Sequence, residues 1–195
     1  ESECVTVLQG MKQEAPDGVK VSYAMGSGFS EADEHEKAKA MALAEESDVI
    51  VAVVGGSSSR FGGAVFDANG AASKGTGSRS MDCGEGMDTA KVHIPAAQEE
   101  LIAALARLGK PLVTVVIAGR AYCIEKIENA SDAVLYAFYP GPMGGKAVAE
   151  LLYGSSNPSG RLPVSMPRHV GQIPVCYNYR TSVAPAYCDM TSQPL

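Results

Sequence analysis

Alternation between β-branched runs and segments of helical period predicts an α/β fold, with a mostly parallel sheet covered by helices on both faces. Two further observations agree. The runs DVIVAVVGG from Asp48 and PLVTVVIAG from Pro111 are almost continuously apolar, as strands buried on both faces are. Each β-branched run ends in glycine or leads directly into it, so the chain can turn sharply at the carboxyl edge of the sheet, where open α/β sheets bind ligands.

In chain order, the pattern predicts a helix over about 3–15 and a strand, VKVSYAMG, from Val19. A helix over about 31–47 follows, and its EADEHEKAKA segment mixes charges of both signs, as a solvated face does. After the strand from Asp48, the helix over about 96–108 has the clearest period. Leu101, Leu105 and Leu108 fall on one face, and Pro95 stands at its start. The strand from Pro111 leads to a helix over about 121–129, the strand AVLYAFYPG from Ala133 to a helix over about 143–153. RLPVSMP, within 161–167, is a further strand that its prolines restrict to a sheet edge. Residues 168–195 read as an extended C-terminal tail.

A chain of 195 residues with 46% hydrophobic content can bury one full core, so residues 1–195 are read as a single domain. The net charge of −6 and the lack of any Lys/Arg cluster argue against a nucleic-acid partner. No apolar run reaches the roughly 18–20 residues that span a bilayer, so no membrane partner is expected. Five cysteines without a CxxC pair suggest neither a disulfide framework nor a zinc site; the preferred compartment is the cytoplasm, with periplasmic or secreted placement the alternatives. The chain starts at ESE without Met and stops at TSQPL, which suggests a piece of a longer protein.

One connection breaks the βα rhythm. Residues 57–94 are rich in Gly, Ser and Ala and far exceed the usual αβ connection of about 2–6 residues, so this loop is the expected functional segment. Within it SMDCGEGMD carries three carboxylates. Gly84 and Gly86 leave the flanks of Glu85 without side-chain bulk, so that carboxyl can approach a ligand. Asp82 and Asp88 are better read as turn caps, whereas for Glu85 the residues alone support a solvated loop glutamate and a catalytic acid equally. Ser58, Ser59 and Arg60 leave the same sheet edge and carry hydrogen-bond donors that could line a ligand subsite, and structural support is an equal alternative for Arg60. Arg120 reads equally as an anchor of the turn that follows it.

Other chemistries fit less well. In Gly26-Ser27-Gly28 the third glycine of a dinucleotide motif is replaced by Glu31, a carboxylate where phosphate must approach. PGPMGGKA lacks both the first glycine and the final hydroxyl of a P-loop. His35, His93 and His169 have no metal-ligand spacing, and no GxSxG elbow accompanies Ser57, Ser58 and Ser59. Neither a cofactor nor a metal is expected.

Four segments carry a resemblance over nearly the whole chain: DVIVAVVGGSSSR, MDCGEGMDTAKVHIPAAQEELIAAL, GKPLVTVVIAGRAYCI and FYPGPMGGKAVAELLYGSSNPSGRLPVSMPRHVGQIPVCYNY. In order and spacing they resemble the C-terminal domain of glycoside hydrolase family 3, with GSSSRFGGAVFDANGAA similar to a bacterial β-glucosidase branch. The resemblance implies a three-layer α/β/α sandwich with five or six strands, packed against an N-terminal (β/α)8 barrel. It also implies that Glu85 matches the loop glutamate that serves as acid/base, while the barrel supplies an aspartate nucleophile. Thr89 and Ala121 depart from the arginine and proline frequent there, which puts in doubt any charge partner that arginine would provide. GEGMD speaks against the β-N-acetylglucosaminidase branch, whose acid is an Asp-His pair in the barrel.

The expected function is therefore the acid/base-bearing domain of a retaining β-glycosidase of β-glucosidase or β-xylosidase type, acting on a β-linked oligosaccharide or glycoside. Its expected partners are that substrate and the barrel, with a homodimer a further option. The alternative is a non-catalytic scaffold that closes a sugar site or mediates dimerisation.

Overall fold

The computed structural model describes residues 4–58, 65–66, 68–70, 72–73, 81–84, 87–176, 178 and 195. Three parallel strands form its sheet: β1 (Ile50–Gly55), β4 (Leu112–Ile117) and β5 (Ala133–Tyr136), in the order β1-β4-β5. The register pairs Ile50 with Leu112 and Val113 with Ala133, and β4 lies in the centre. A short antiparallel hairpin, β2 (Val65–Phe66) with β3 (Ala72–Ser73), stands apart from that sheet inside the long connection.

Strand period decides which side chains meet which layer. Ile50, Ala52 and Val54 of β1 and Leu112 and Val116 of β4 face one core, built with α2 (Glu34–Glu45), α3 (Ala96–Ala106) and α4 (Glu125–Ala130). Val115, Val51 and Leu135 face the other, with α1 (Val7–Glu14) and α5 (Gly144–Leu152). The result is the three-layer α/β/α sandwich. Because β4 is covered on both faces, Val115 and Val116 are each 0% exposed. Thr114 is buried as well, and its hydroxyl is satisfied by Ser131 Oγ at 2.7 Å.

The helices begin where local chemistry satisfies their free amides. Thr6 and Gln9 form a capping box that starts α1, and Asp33 accepts from the amides of His35 and Glu36 to start α2. α1 and α5 meet closely, Gly10 lying against the Gly145 carbonyl, and Tyr153 donates to the Met11 carbonyl at 3.0 Å. Lys146, the lysine of PGPMGGKA, lies 3.7 Å from Glu14 and 3.8 Å from Glu150, so it holds this helix pair. The Gly28 amide is taken by the Glu31 carbonyl at 3.1 Å, a turn and not a phosphate cradle.

Two expected strands do not form, so among the described residues the main sheet has three strands where five or six were expected. Residues 19–26 have no ladder partner among the described residues, and Val19, Tyr23 and Met25 are exposed. Residues 161–167 form no strand; Met166 anchors them in the core. A β-branched run favours extension, but a strand also needs a neighbour to take its N–H and C=O groups, and composition does not supply that neighbour. In the C-terminal tail, a 3-10 turn (Val170–Gln172) is started by the His169 side chain, and Arg168 pairs with Glu125 at 2.7 Å.

Candidate active site

At the carboxyl edge, β1 runs out through Gly55 and β4 through Ile117, and Asp82 and Cys83 of the long connection lie against Ser57, just past β1. Gln98, buried in α3, secures the end of β1. Its carbonyl oxygen accepts from the Gly55 amide at 2.8 Å, and its amide donates to the carbonyls of Gly55 at 3.1 Å and Phe29 at 2.8 Å. The IPAAQ segment thus closes a buried polar account that an apolar residue would leave open.

Asp82 joins the loop to both strands. One carboxylate oxygen accepts from the Ser57 amide at 2.8 Å, the other from the Tyr122 hydroxyl at 2.5 Å, and the Asp82 amide donates to the Ser57 carbonyl at 2.9 Å. Asp82 is thus not the local turn cap its sequence suggests: its carboxylate bonds Ser57 and Tyr122, 25 and 40 residues away, because the fold brings the ends of β1 and β4 beside it. Tyr122 is 1% exposed. Burial, then the hydrogen bond to Asp82, raises its phenol far above the ordinary tyrosine range, so it stays a donor throughout the working pH range.

Cys83 is buried beside Asp82, and its sulfur lies 3.1 Å from the Tyr139 hydroxyl. Gly119 makes that contact attainable: a Cβ there would lie 2.8 Å from the Tyr139 ring and 3.0 Å from the Cys83 sulfur. Phe138, at φ 49, turns the chain out of β5 and directs Tyr139 over Gly119. Burial and then the Cys83 contact raise the Tyr139 phenol, while a hydrogen bond with Ser58 lowers it. Tyr136, pushed up to about 12 mainly by burial, donates to the Arg120 carbonyl and accepts from the Tyr122 amide at 3.4 Å.

Of the sequence candidates, Ser58 is half-buried beside Gly84. Ser59, Arg60 and Glu85 lie outside the described residues. Gly84 sits at φ 107, a conformation that favours glycine whatever approaches Glu85. Asp88 is exposed and α3 is capped at Pro95, so Asp88 does not cap that helix. Thr89 forms a local turn with Lys91, and Ala121 packs half-buried against the core. Arg120 reaches out of its own turn to donate to the Met87 carbonyl at 3.4 Å. His93 lies 3.7 Å from Glu99, whose second oxygen takes Lys126 at 2.9 Å, which accounts for it as a structural residue. Among the described residues, no three His, Cys, Asp or Glu are grouped to hold a metal, and no helix is long and apolar enough to cross a membrane.

Tyr122 and Tyr139 were the residues that sequence reasoning passed over. Their signal was faint: aromatic residues just past the β-branched runs, in GRAYCI and FYPG. A depression of about 310 Å³ lined by Lys110, Pro111 and Asp132 lies at the opposite edge of the sheet, away from the pinned loop.

An open parallel sheet with a glycine-rich loop fastened across its carboxyl edge places the chain among the α/β domains that present a loop to a ligand. The chain belongs to glycoside hydrolase family 3: residues 1–193 match the family described as "Glycosyl hydrolase family 3 C-terminal domain". It is 34% identical to the periplasmic β-glucosidase of Salmonella typhimurium over 94% of this chain and 24% of that protein. It is also 34% identical to a β-xylosidase of Formosa agariphila, over 89% of this chain and 21% of that one. The β-glucosidase of Listeria innocua in complex with gluconolactone superimposes with a TM-score of 0.77 at 29% identity, over 98% of this chain and 25% of that chain. A β-glucosidase from Erythrobacter marinus gives 0.78 at 32% identity, over 98% and 26%. The chain thus spans about a quarter of the length of these relatives.

Proposed function

We propose that this domain supplies the general acid/base, Glu85, of a retaining β-glycosidase that removes terminal non-reducing sugars, with the nucleophile in a (β/α)8 barrel outside this chain. One observation carries the reading. In a chain of this family, GEGMD is fastened to the carboxyl edge of the sheet on both sides of Glu85, through Asp82 and through Met87. A side chain presented there can meet a site that another domain completes. Names of the relatives, β-glucosidase and β-xylosidase, support β-linked glucosides or xylosides as the substrate class.

In the first step Glu85, neutral, donates its proton to the glycosidic oxygen while the barrel's carboxylate attacks the anomeric carbon and the bond to the leaving group breaks. In the second, ionised Glu85 takes a proton from water as that water displaces the enzyme carboxylate. Retention requires the two carboxyls to lie about 5–5.5 Å apart. Ser58, Ser59 and Arg60 are the candidates for the leaving-group side of the site; of these, Ser58 follows the end of β1.

The test is Glu85→Ala in the full-length enzyme, assayed on glycosides that share a sugar and differ in leaving group. Hydrolysis of the poor leaving group should collapse, and azide should restore turnover on the activated one. Undiminished hydrolysis of the poor leaving group would favour the scaffold reading.

A further inference from the structure

We infer that Asp82, Tyr122 and Arg120 are positioning residues for Glu85, forming two clamps that fix the chain on either side of it; the inference rests on the reading of Glu85 as the acid/base. Three bonds make the first clamp. Asp82 accepts from the Ser57 amide and the Tyr122 hydroxyl, and its own amide donates to the Ser57 carbonyl. Cys83 reinforces it, with its amide 3.3 Å from the Ser57 carbonyl and its sulfur on Tyr139.

Arg120 makes the second clamp, through the Met87 carbonyl. Between the clamps the Met87 amide donates to the Gly84 carbonyl at 3.2 Å. A misplacement of about 1 Å in a reacting group can cost about 100-fold in rate, which is ample reason to fasten this turn twice.

The clamps draw on opposite sides of the same edge. Ser57 follows β1, whereas Tyr122 and Arg120 follow β4, so the bonds on either side of Glu85 run to the segments after two neighbouring strands. Tyr122 is the sharper probe, because its ring fills the core while its hydroxyl alone reaches Asp82. Tyr122→Phe keeps the packing and removes one bond.

In the full-length enzyme, Tyr122→Phe, Asp82→Asn, Arg120→Ala and Arg120→Lys are compared with Glu85→Ala on an alkyl and a dinitrophenyl glycoside of the same sugar. Tyr122→Phe and Arg120→Ala should lower kcat/KM on the alkyl glycoside about 10- to 100-fold and on the dinitrophenyl glycoside less than about 3-fold. Arg120→Lys should recover part of the Arg120→Ala loss, and Asp82→Asn, which replaces one of the two accepting oxygens, should show the same selective loss as Tyr122→Phe. Amide exchange in the peptide covering 81–88 should accelerate in Tyr122→Phe, with the melting temperature close to that of the parent. A merely structural role would lower both substrates alike, and that outcome, or unchanged exchange, overturns the clamps. If Glu85→Ala is selective for the alkyl glycoside and Tyr122→Phe is not, the positioning role alone falls. If Glu85→Ala lowers both glycosides equally, the acid assignment falls and the positioning role falls with it.

Discussion

A Cβ on residue 119 would press on the Tyr139 ring and the Cys83 sulfur together, so this position measures how closely the segments above the sheet are packed. Gly119→Ala should destabilise the domain by about 1–3 kcal/mol, the usual cost of overpacking, read from the urea midpoint. Tyr136 gives a residue-level pH dependence. Its folded pKa is raised from 10.0 to about 12, chiefly by burial, so the folded state retains a proton that the unfolded state releases. Its contribution is complete below pH about 10 and is lost as pH rises from about 10 to 12. Tyr136→Phe should lower stability at pH 9, through the lost bond to the Arg120 carbonyl, yet flatten the decline between pH 10 and 12. Equal slopes in the two proteins would refute this. Asp82 was legible as a polar loop residue, but Tyr122 stands 40 residues away in sequence, and nothing local joins them.

At the scale of elements, α3 buries Leu101, Ile102 and Leu105 against the sheet. Ile102 is 1% exposed, and Ile102→Ala should cost about 2–5 kcal/mol. Asp33→Ala, which removes the two amide bonds at the start of α2, should cost about 1 kcal/mol. By contrast Lys39→Ala breaks an exposed i,i+3 pair with Glu36 and should move stability by less than about 0.5 kcal/mol. Thermal melts of the three variants should rank them in that order. Strands and helices with a buried face were legible because burial imposes a period on the sequence, as Leu101 and Leu105 do in α3. The run from Val19 shows the limit of that logic: it extends as its residues prefer but finds no ladder partner among the described residues.

Over the whole molecule, the apolar surface left open by the sandwich is uneven. Among the described residues β1 lies at an edge of the sheet, with Val53 46% exposed, while Val19, Tyr23 and Met25 are exposed on the segment from 19 to 26. The proposed site is likewise incomplete, since a general acid without its nucleophile lowers only part of the barrier. The 195-residue chain alone should therefore hydrolyse nitrophenyl glycosides no faster than its Glu85→Ala variant, whereas the full-length enzyme should show a large difference between the two. Comparable turnover by the isolated chain and the full-length enzyme would disprove the shared-site reading.

What the sequence by itself determined was whatever leaves a local or periodic trace. It specified the α/β class, the strands β1 and β4, of which only β4 is central and buried on both faces, the order of the helices, and the loop that carries GEGMD. The tertiary structure decided the partners: Asp82 with Tyr122, Cys83 with Tyr139, Arg120 with Met87, and Gln98 with both Gly55 and Phe29. Each of these contacts joins residues far apart in the chain. Hydrogen bonding depends on distance and direction in space, which the folded sheet supplies and the order of residues along the chain does not.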